Sequence, residues 1–258
     1  MSRQAAASYI TYLLEGDADA VLSLFSAEPS IEDPIGGSIT GRDQLMGFVK
    51  DRQQWFADHN ASLEHLRTTT VPERTVVEYT LSLDLDVPHY PLPYAVVGQH
   101  GAGGTLGQIR VYHSMWPLLG HHEIRSAILP ARHDLTLSGV IITYQKALAE
   151  GDVETIVGTF EPDGYFREPA GGPHFYRGIE RVAEFMAMIL GTGGIALEHC
   201  TVTDDGVACA IEFNAVKFGH EPLVPQAGVA VYERGPSGAL HAARIYDDVN
   251  VEALAGQQ

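Results

Sequence analysis

The chain has 258 residues, enough for two domains of ordinary size, and its 45% hydrophobic content is that of a folded protein. Thirty-three acidic against sixteen basic side chains give a net charge of −17, which repels phosphate backbones and anionic lipid alike and argues against nucleic acid or membrane as partners. The two cysteines, Cys200 and Cys209, lack CxxC spacing, so neither a structural zinc nor a disulfide framework is expected.

In MSRQAAASYITYLLEGD, Glu15 and Asp17 interrupt the apolar run before a signal core or membrane span forms, so a cytoplasmic protein is expected. Ile10, Leu13 and Leu14, then Val21, Leu22 and Phe25, recur at helical spacing. Gly16 reads as the stop between them and Asp17 as the next N-cap, which predicts two short helices. SIEDP then alternates, placing Ile31 and Asp33 on one strand face and Glu32 on the other. Thr40 is positioned to cap a third helix through LMGFVKDRQQWF. The β-rich runs TVVEYTLSL, QIRVYHSMW and EIRSAIL follow, and helices first with strands after predicts an α+β domain. Between these runs, GAGGTLG reads as a flexible loop in an insertion between strands, and the neighbouring DVPHYPLPYAVVGQH as either a lid or pocket rim or a long surface connection.

The pattern then starts again. Tyr9, Gly16, Asp17, Phe25, Asp33, Pro34, Gly36 and Gly37 recur as Tyr144, Gly151, Asp152, Phe160, Glu168, Pro169, Gly171 and Gly172, each about 135 residues on. Leu63-Glu64-His65 likewise recurs as Leu197-Glu198-His199 at a spacing of about 134. This predicts two copies of one domain, residues 1–134 and 135–258, joined near LPARHDLT, with VACAIEF, GVAVYE and LHAARIY as later strands.

YITYLLEGDADAVLSLFSAEPSIEDPIGG resembles the opening of the SnoaL-like polyketide cyclases and ketosteroid isomerases of the nuclear transport factor 2-like superfamily. The resemblance implies a cone in each copy: a strongly curved sheet wrapped around three helices, with an apolar pocket at one end. It also implies sheet-against-sheet packing as an intramolecular pseudo-dimer, leaving monomer and homodimer both open. By the same resemblance, Asp33 is a catalytic base and Tyr9, 24 residues earlier, a donor to an enolate oxygen; Glu168 and Tyr144 are their second-copy counterparts. The implied activity is double-bond isomerisation or aldol-type cyclisation of an apolar oxygenated molecule such as a steroid, terpenoid or polyketide, without a cofactor.

The residues also carry plainer readings. Asp33 suits a strand end before a turn proline, and Tyr9 shares a helix face with Leu13, as a core tyrosine would. The isomerases' second aspartate is missing from QIRVYHSMW and GVAVYERG, where Arg110 or Tyr112, and Gly228 or Ala230, stand instead. Arg110, Tyr112 and Trp116 are therefore substrate-binding candidates, and the first copy is expected to carry the chemistry. Glu64 and Glu198 share strand faces with apolar or small neighbours. If those faces point inward, each pocket holds two carboxyl groups, Asp33 with Glu64 and Glu168 with Glu198, similar to tandem epoxide hydrolases of polyether biosynthesis. A binding module without turnover is a further alternative. The histidines show no HExxH and no i, i+4 pair beside an acid, so no metal site is expected.

Overall fold

The computed structural model describes residues 2–248. They form two compact units that divide between His113 and Ser114. Among the described residues no helix is long and apolar enough to cross a membrane.

The first unit opens with helices α1 (Ser2–Glu15) and α2 (Ala18–Ser23). Gly16 separates them at φ +72°, a left-handed turn that favours glycine, and Asp17 accepts the Ala20 N–H at 2.9 Å. Strands β1 (Ser30–Asp33) and β2 (Gly37–Thr40) make a hairpin, and helix α3 (Gly41–Asp58) follows. Thr40 holds the expected N-cap position of α3 but caps nothing with its side chain; its own N–H donates to Gln44 Oε1 at 2.9 Å. Strands β3 (Ser62–Val71), β4 (Arg74–Leu83), β5 (Tyr90–His100) and β6 (Leu106–Tyr112) complete a six-stranded sheet of order β2-β1-β6-β5-β4-β3. Only β1 and β6 run parallel in it. Helix α1 packs on β4, β5 and β6 with Tyr9, Ile10 and Leu13 fully buried.

The proline-studded stretch, expected as a lid, a pocket rim or a surface connection, is instead for most of its length a strand inside the sheet. Its pairing with β6 starts only at Ala95, so Pro91 and Pro93 fall where β5 has β4 alone as neighbour and one row of N–H groups is dispensable. The glycines of GAGGTLG turn the chain from β5 into β6.

After β6 comes a short helix, α4 (Trp116–Leu119), and an extended stretch that packs with the second unit. This moves the boundary from the expected 134/135. The Ala127 and Ala227 N–H groups donate to Pro225 and Arg125 carbonyls, and the Arg132 N–H donates to His199. EIRSAIL makes one isolated bridge, Ser126 with Gln226, rather than the expected strand.

The second unit has helices α5 (Val140–Glu150) and α6 (Val153–Gly158), strands β7 (Phe160–Arg167) and β8 (Phe175–Arg177), and helix α7 (Ile179–Ile189). Strands β9 (Ile195–Asp204), β10 (Ala208–Phe218), β11 (Glu221–Arg234) and β12 (Leu240–Ile245) close its sheet in the order β8-β7-β12-β11-β10-β9. Element for element this matches the first unit. Bulges in β9 and β10 curve the sheet over α5 and α7, whose Tyr144, Val182, Phe185 and Met186 fill the core. Cys200 and Cys209 are buried and are not joined in a disulfide.

Candidate functional site

Asp33 closes β1 and is buried at 4% exposure. Its Oδ1 accepts N–H groups from Ile35 at 2.9 Å and Gly36 at 2.7 Å, the turn role its place before Pro34 predicts, and also the Arg52 guanidinium at 3.0 Å. Arg52 comes from α3 and lies against the rings of Phe48, Trp55 and Phe56. The space that Asp33 itself lines is only about 10 Å³, roughly one water; a separate open hollow of about 570 Å³ is lined by Ile35, Gly36, Phe48, Arg52 and Trp55 but not by Asp33. Where an open pocket was expected, Asp33 is thus covered by an arginine, a residue to which no candidate role was given. Tyr9 is fully buried; its hydroxyl has no hydrogen-bond partner, and burial, with Tyr94 and Asp33 adding, holds its pKa well above the usual value.

The remaining candidates of the first unit separate from Asp33. Ile31 pairs with Ile109, so Asp33 shares its sheet face with Ile109 and Val111, while Arg110 and Tyr112 point to the other face. The residue of that strand run on the Asp33 face is His113, which lines the same small space and stacks on Tyr94 at 5.2 Å. Glu64 is exposed on β3 and Glu198 on β9, so neither joins a pocket. On β9 it is Ile195 and Leu197 that pack on the core, which turns Glu198 outward. The paired-carboxyl arrangement with Glu64 and Glu198 is therefore absent.

The second unit holds an open cavity of about 300 Å³ that, unlike the hollow of the first unit, is bordered by the strand-end acid. Its apolar wall includes Phe166, Phe185, Ile189 and Phe218. Trp116, expected to serve the first copy, lines this cavity instead. Glu168 follows directly on β7 and lines it too, with its side chain 30% exposed. Tyr176 donates its hydroxyl to Glu168 Oε1 at 2.7 Å, and His174 Nδ1 lies 3.3 Å from the same oxygen. Burial and that hydrogen bond push the Tyr176 phenol up to about 12. Tyr144 lies in the core instead, its ring against Tyr232 and Phe160, and it does not line the cavity.

Two further carboxyl groups line the cavity: Asp247 and Asp248, just beyond β12. Asp247 is 5% exposed and pairs through Oδ2 with Arg125 at 3.0 Å. Burial outweighs that cation, with Asp248 adding, and raises the Asp247 carboxyl to about 7. These residues were missed because GVAVYERG was set against QIRVYHSMW. The sheet order shows that β6 corresponds to β12, while GVAVYERG lies on β11. The signal was in the sequence: Arg110-Val-Tyr112-His113 recurs as Arg244-Ile-Tyr246-Asp247 at the same spacing of about 134. The second unit therefore does have an acid on this strand run, at the counterpart of His113, where only the small Gly228 and Ala230 were expected.

Among the described residues, Glu161, Asp163 and His241 are close enough to share a cation, but none of them lines the cavity, and Glu161 pairs with His241 at 3.7 Å and accepts the Ser237 hydroxyl.

Residues 141–238 match the SnoaL-like domain family. No curated protein matches the chain. Among solved structures, a hypothetical protein with a ketosteroid isomerase-like fold from Catenulispora acidiphila, in complex with trimethylamine, aligns at 15% identity, covering 48% of this chain and 96% of its own, with a TM-score of 0.38. An LEH-like epoxide hydrolase from M. tuberculosis aligns at 20% identity over 42% of this chain and 80% of its own, TM-score 0.37. An NTF2-like protein of unknown function from Cytophaga hutchinsonii aligns at 12% identity over 48% and 99%, TM-score 0.36.

Proposed function

For this chain, whose residues 141–238 match the SnoaL-like domain family, we propose that the second unit binds an apolar, oxygen-bearing small molecule and moves a proton on it. The observation that carries this reading is the pair of unlike carboxyl groups on one apolar cavity: Asp247, raised to about 7, and Glu168, which accepts from Tyr176. Two acids in separate environments divide the work of acid and base.

Glu168 takes a proton from the carbon next to a carbonyl. The C–H electron pair moves into the new carbon–carbon double bond, and Asp247 gives its hydrogen to the carbonyl oxygen as charge builds there. In a β,γ-unsaturated ketone, Glu168 returns the proton to the γ carbon while the enol O–H gives its hydrogen back to Asp247, completing a double-bond shift; in a diketone the enol carbon attacks the second carbonyl, whose oxygen takes the proton from Glu168 as the enol O–H returns its own to Asp247, closing a ring. Tyr176 and His174 orient the base. The cavity's size is at the lower end for a small-molecule site. In the first unit the Arg52 guanidinium covers Asp33 and keeps it from the neighbouring hollow, and this unit is a non-catalytic copy.

The test is exchange of the α-protons of 1-tetralone into heavy water, followed by NMR. The chain should accelerate exchange, and Glu168→Gln and Asp247→Asn should each abolish most of the acceleration. Exchange no faster than in buffer, or acceleration untouched by both substitutions, ends the catalytic reading.

A further inference from the structure

The chemistry above leaves one carboxyl group and one stretch of chain unused. Asp248 is 6% exposed, and both its oxygens are engaged. Ser114 Oγ lies 2.8 Å from each of them, and the Met115 and Trp116 N–H groups donate to Oδ2 at 3.2 and 3.3 Å. His122 Nδ1 lies 3.5 Å from Oδ1. Asp248 thereby holds the start of residues 114–126. The far end is tied by Arg125 to Asp247 at 3.0 Å and by the Ser126 bridge to Gln226. Two adjacent acids at the end of β12 pin both ends of one strap.

That strap presents rings to the cavity. Trp116 stacks on His122 with centroids 5.6 Å apart and planes 19° apart, and meets His174 edge-on at 5.2 Å. Phe166 and Phe185, which also line the cavity, stack on each other at 4.9 Å. A flat conjugated guest gains ring-to-ring contact with such walls, whereas a puckered saturated guest of equal size gains only the burial of its surface.

We propose that Trp116 is a specificity-determining residue that selects a planar, conjugated ring, and that Asp248 is a positioning residue that holds Trp116 against the cavity. The proposal rests on the reading of this cavity as a ligand site, and its test is a binding measurement independent of turnover.

The chain has two tryptophans, Trp55 and Trp116, so in a Trp55→Phe background the emission of Trp116 is read alone. The probes are 1-tetralone and 1-decalone, which share skeleton and carbonyl but differ in the flat ring. Tetralone is expected to quench Trp116 and to bind about tenfold more tightly than decalone, as one aromatic contact provides. By calorimetry, Trp116→Leu should bring the two ketones level. Asp248→Asn should shift Trp116 emission to the red and weaken tetralone severalfold while sparing decalone; Ser114→Ala, a gentler cut at the same clamp, should do the same in smaller measure. A tetralone preference that survives Trp116→Leu, unchanged emission and affinity in both clamp variants, or failure of tetralone to bind overturns the proposal. Glu168→Gln should keep the preference while losing exchange, so a chain that binds tetralone selectively without exchanging its protons refutes the catalytic reading alone.

Discussion

At matching places in the two sheets stand Asp33, the last residue of β1, and Glu168, directly after β7. One is locked to a buried guanidinium; the other borders open space. The third helices explain the difference. Leu45, Phe48, Val49 and Arg52 on α3 repeat the spacing of Val182, Phe185, Met186 and Ile189 on α7, so Arg52 takes the place that Ile189 takes at the cavity wall. A long cation there reaches the acid and covers it, while a branched apolar side chain stops short and leaves the acid at open space. One position on one helix thus separates an acid shut off from the neighbouring hollow from one that borders a cavity.

The largest expected effect tests this division. Glu168→Gln and Asp247→Asn should each slow tetralone exchange by about 10²- to 10⁴-fold, the usual worth of a general acid or base. Asp33→Asn should leave the rate of the folded protein unchanged. If Asp33→Asn slows exchange as much as Glu168→Gln does, the two units share the work and the contrast between them fails.

Stability should show the reverse pattern. Asp33→Ala strands the Arg52 charge at a buried site, which costs about 3 to 5 kcal/mol. Glu168→Ala removes a side chain 30% exposed to solvent and should cost much less. Replacing both members of the first pair, Asp33→Ala with Arg52→Ile, should recover most of the loss, since neither charge is then left alone. Urea titrations of these variants decide it; equal costs for Asp33→Ala and Glu168→Ala would mean that the guanidinium does not depend on its partner.

A third effect is confined to the second unit. Asp247 titrates at about 7 in the folded chain against about 3.9 when unfolded, so folding takes up a proton between those values. Its contribution therefore makes the protein lose stability as pH rises from about 4 to 7 and adds no further slope above that. Asp247→Asn should remove this fall, on the order of 2 to 4 kcal/mol across the window. Because the proposed acid must carry its proton, wild-type exchange should also decline above about pH 7. A denaturation midpoint whose pH slope is the same in Asp247→Asn and wild type would show that the carboxyl titrates normally.

How much of this was legible follows from what each signal encodes. Helix periodicity, the glycine stops and the spacing from Tyr9 to Asp33 are local, and they located α1, α2, β1 and the corresponding elements of the second unit. Pairing order is not local. Setting GVAVYERG beside QIRVYHSMW was one strand out of step, which hid Asp247 and put Gly228 and Ala230 in its place. The prolines of β5 were read by their propensity, although they sit where a strand can spare its N–H groups. Arg52 was invisible for another reason: an arginine on a helix ordinarily faces water, and only the packed structure shows this one turned inward onto Asp33.

The smallest expected effect lies where the two units agree. Asp17 and Asp152 each stand at the N-cap of a six-residue helix, and each follows a glycine near φ +75°. Each accepts the N–H three residues on, Ala20 at 2.9 Å and Thr155 at 3.0 Å, satisfying one of the donors a helix leaves free at its start. Asp152 also accepts the Thr155 hydroxyl at 2.6 Å, which Ala20 cannot offer. Replacing either by alanine should cost about 1 kcal/mol, with Asp152→Ala the costlier by a few tenths. Neither cap touches Arg52 or the cavity, so both variants should leave tetralone binding and exchange as in wild type. A cap loss that changed exchange would show that the helix starts help to set the cavity, and that the difference between the units reaches beyond position 52 and its counterpart.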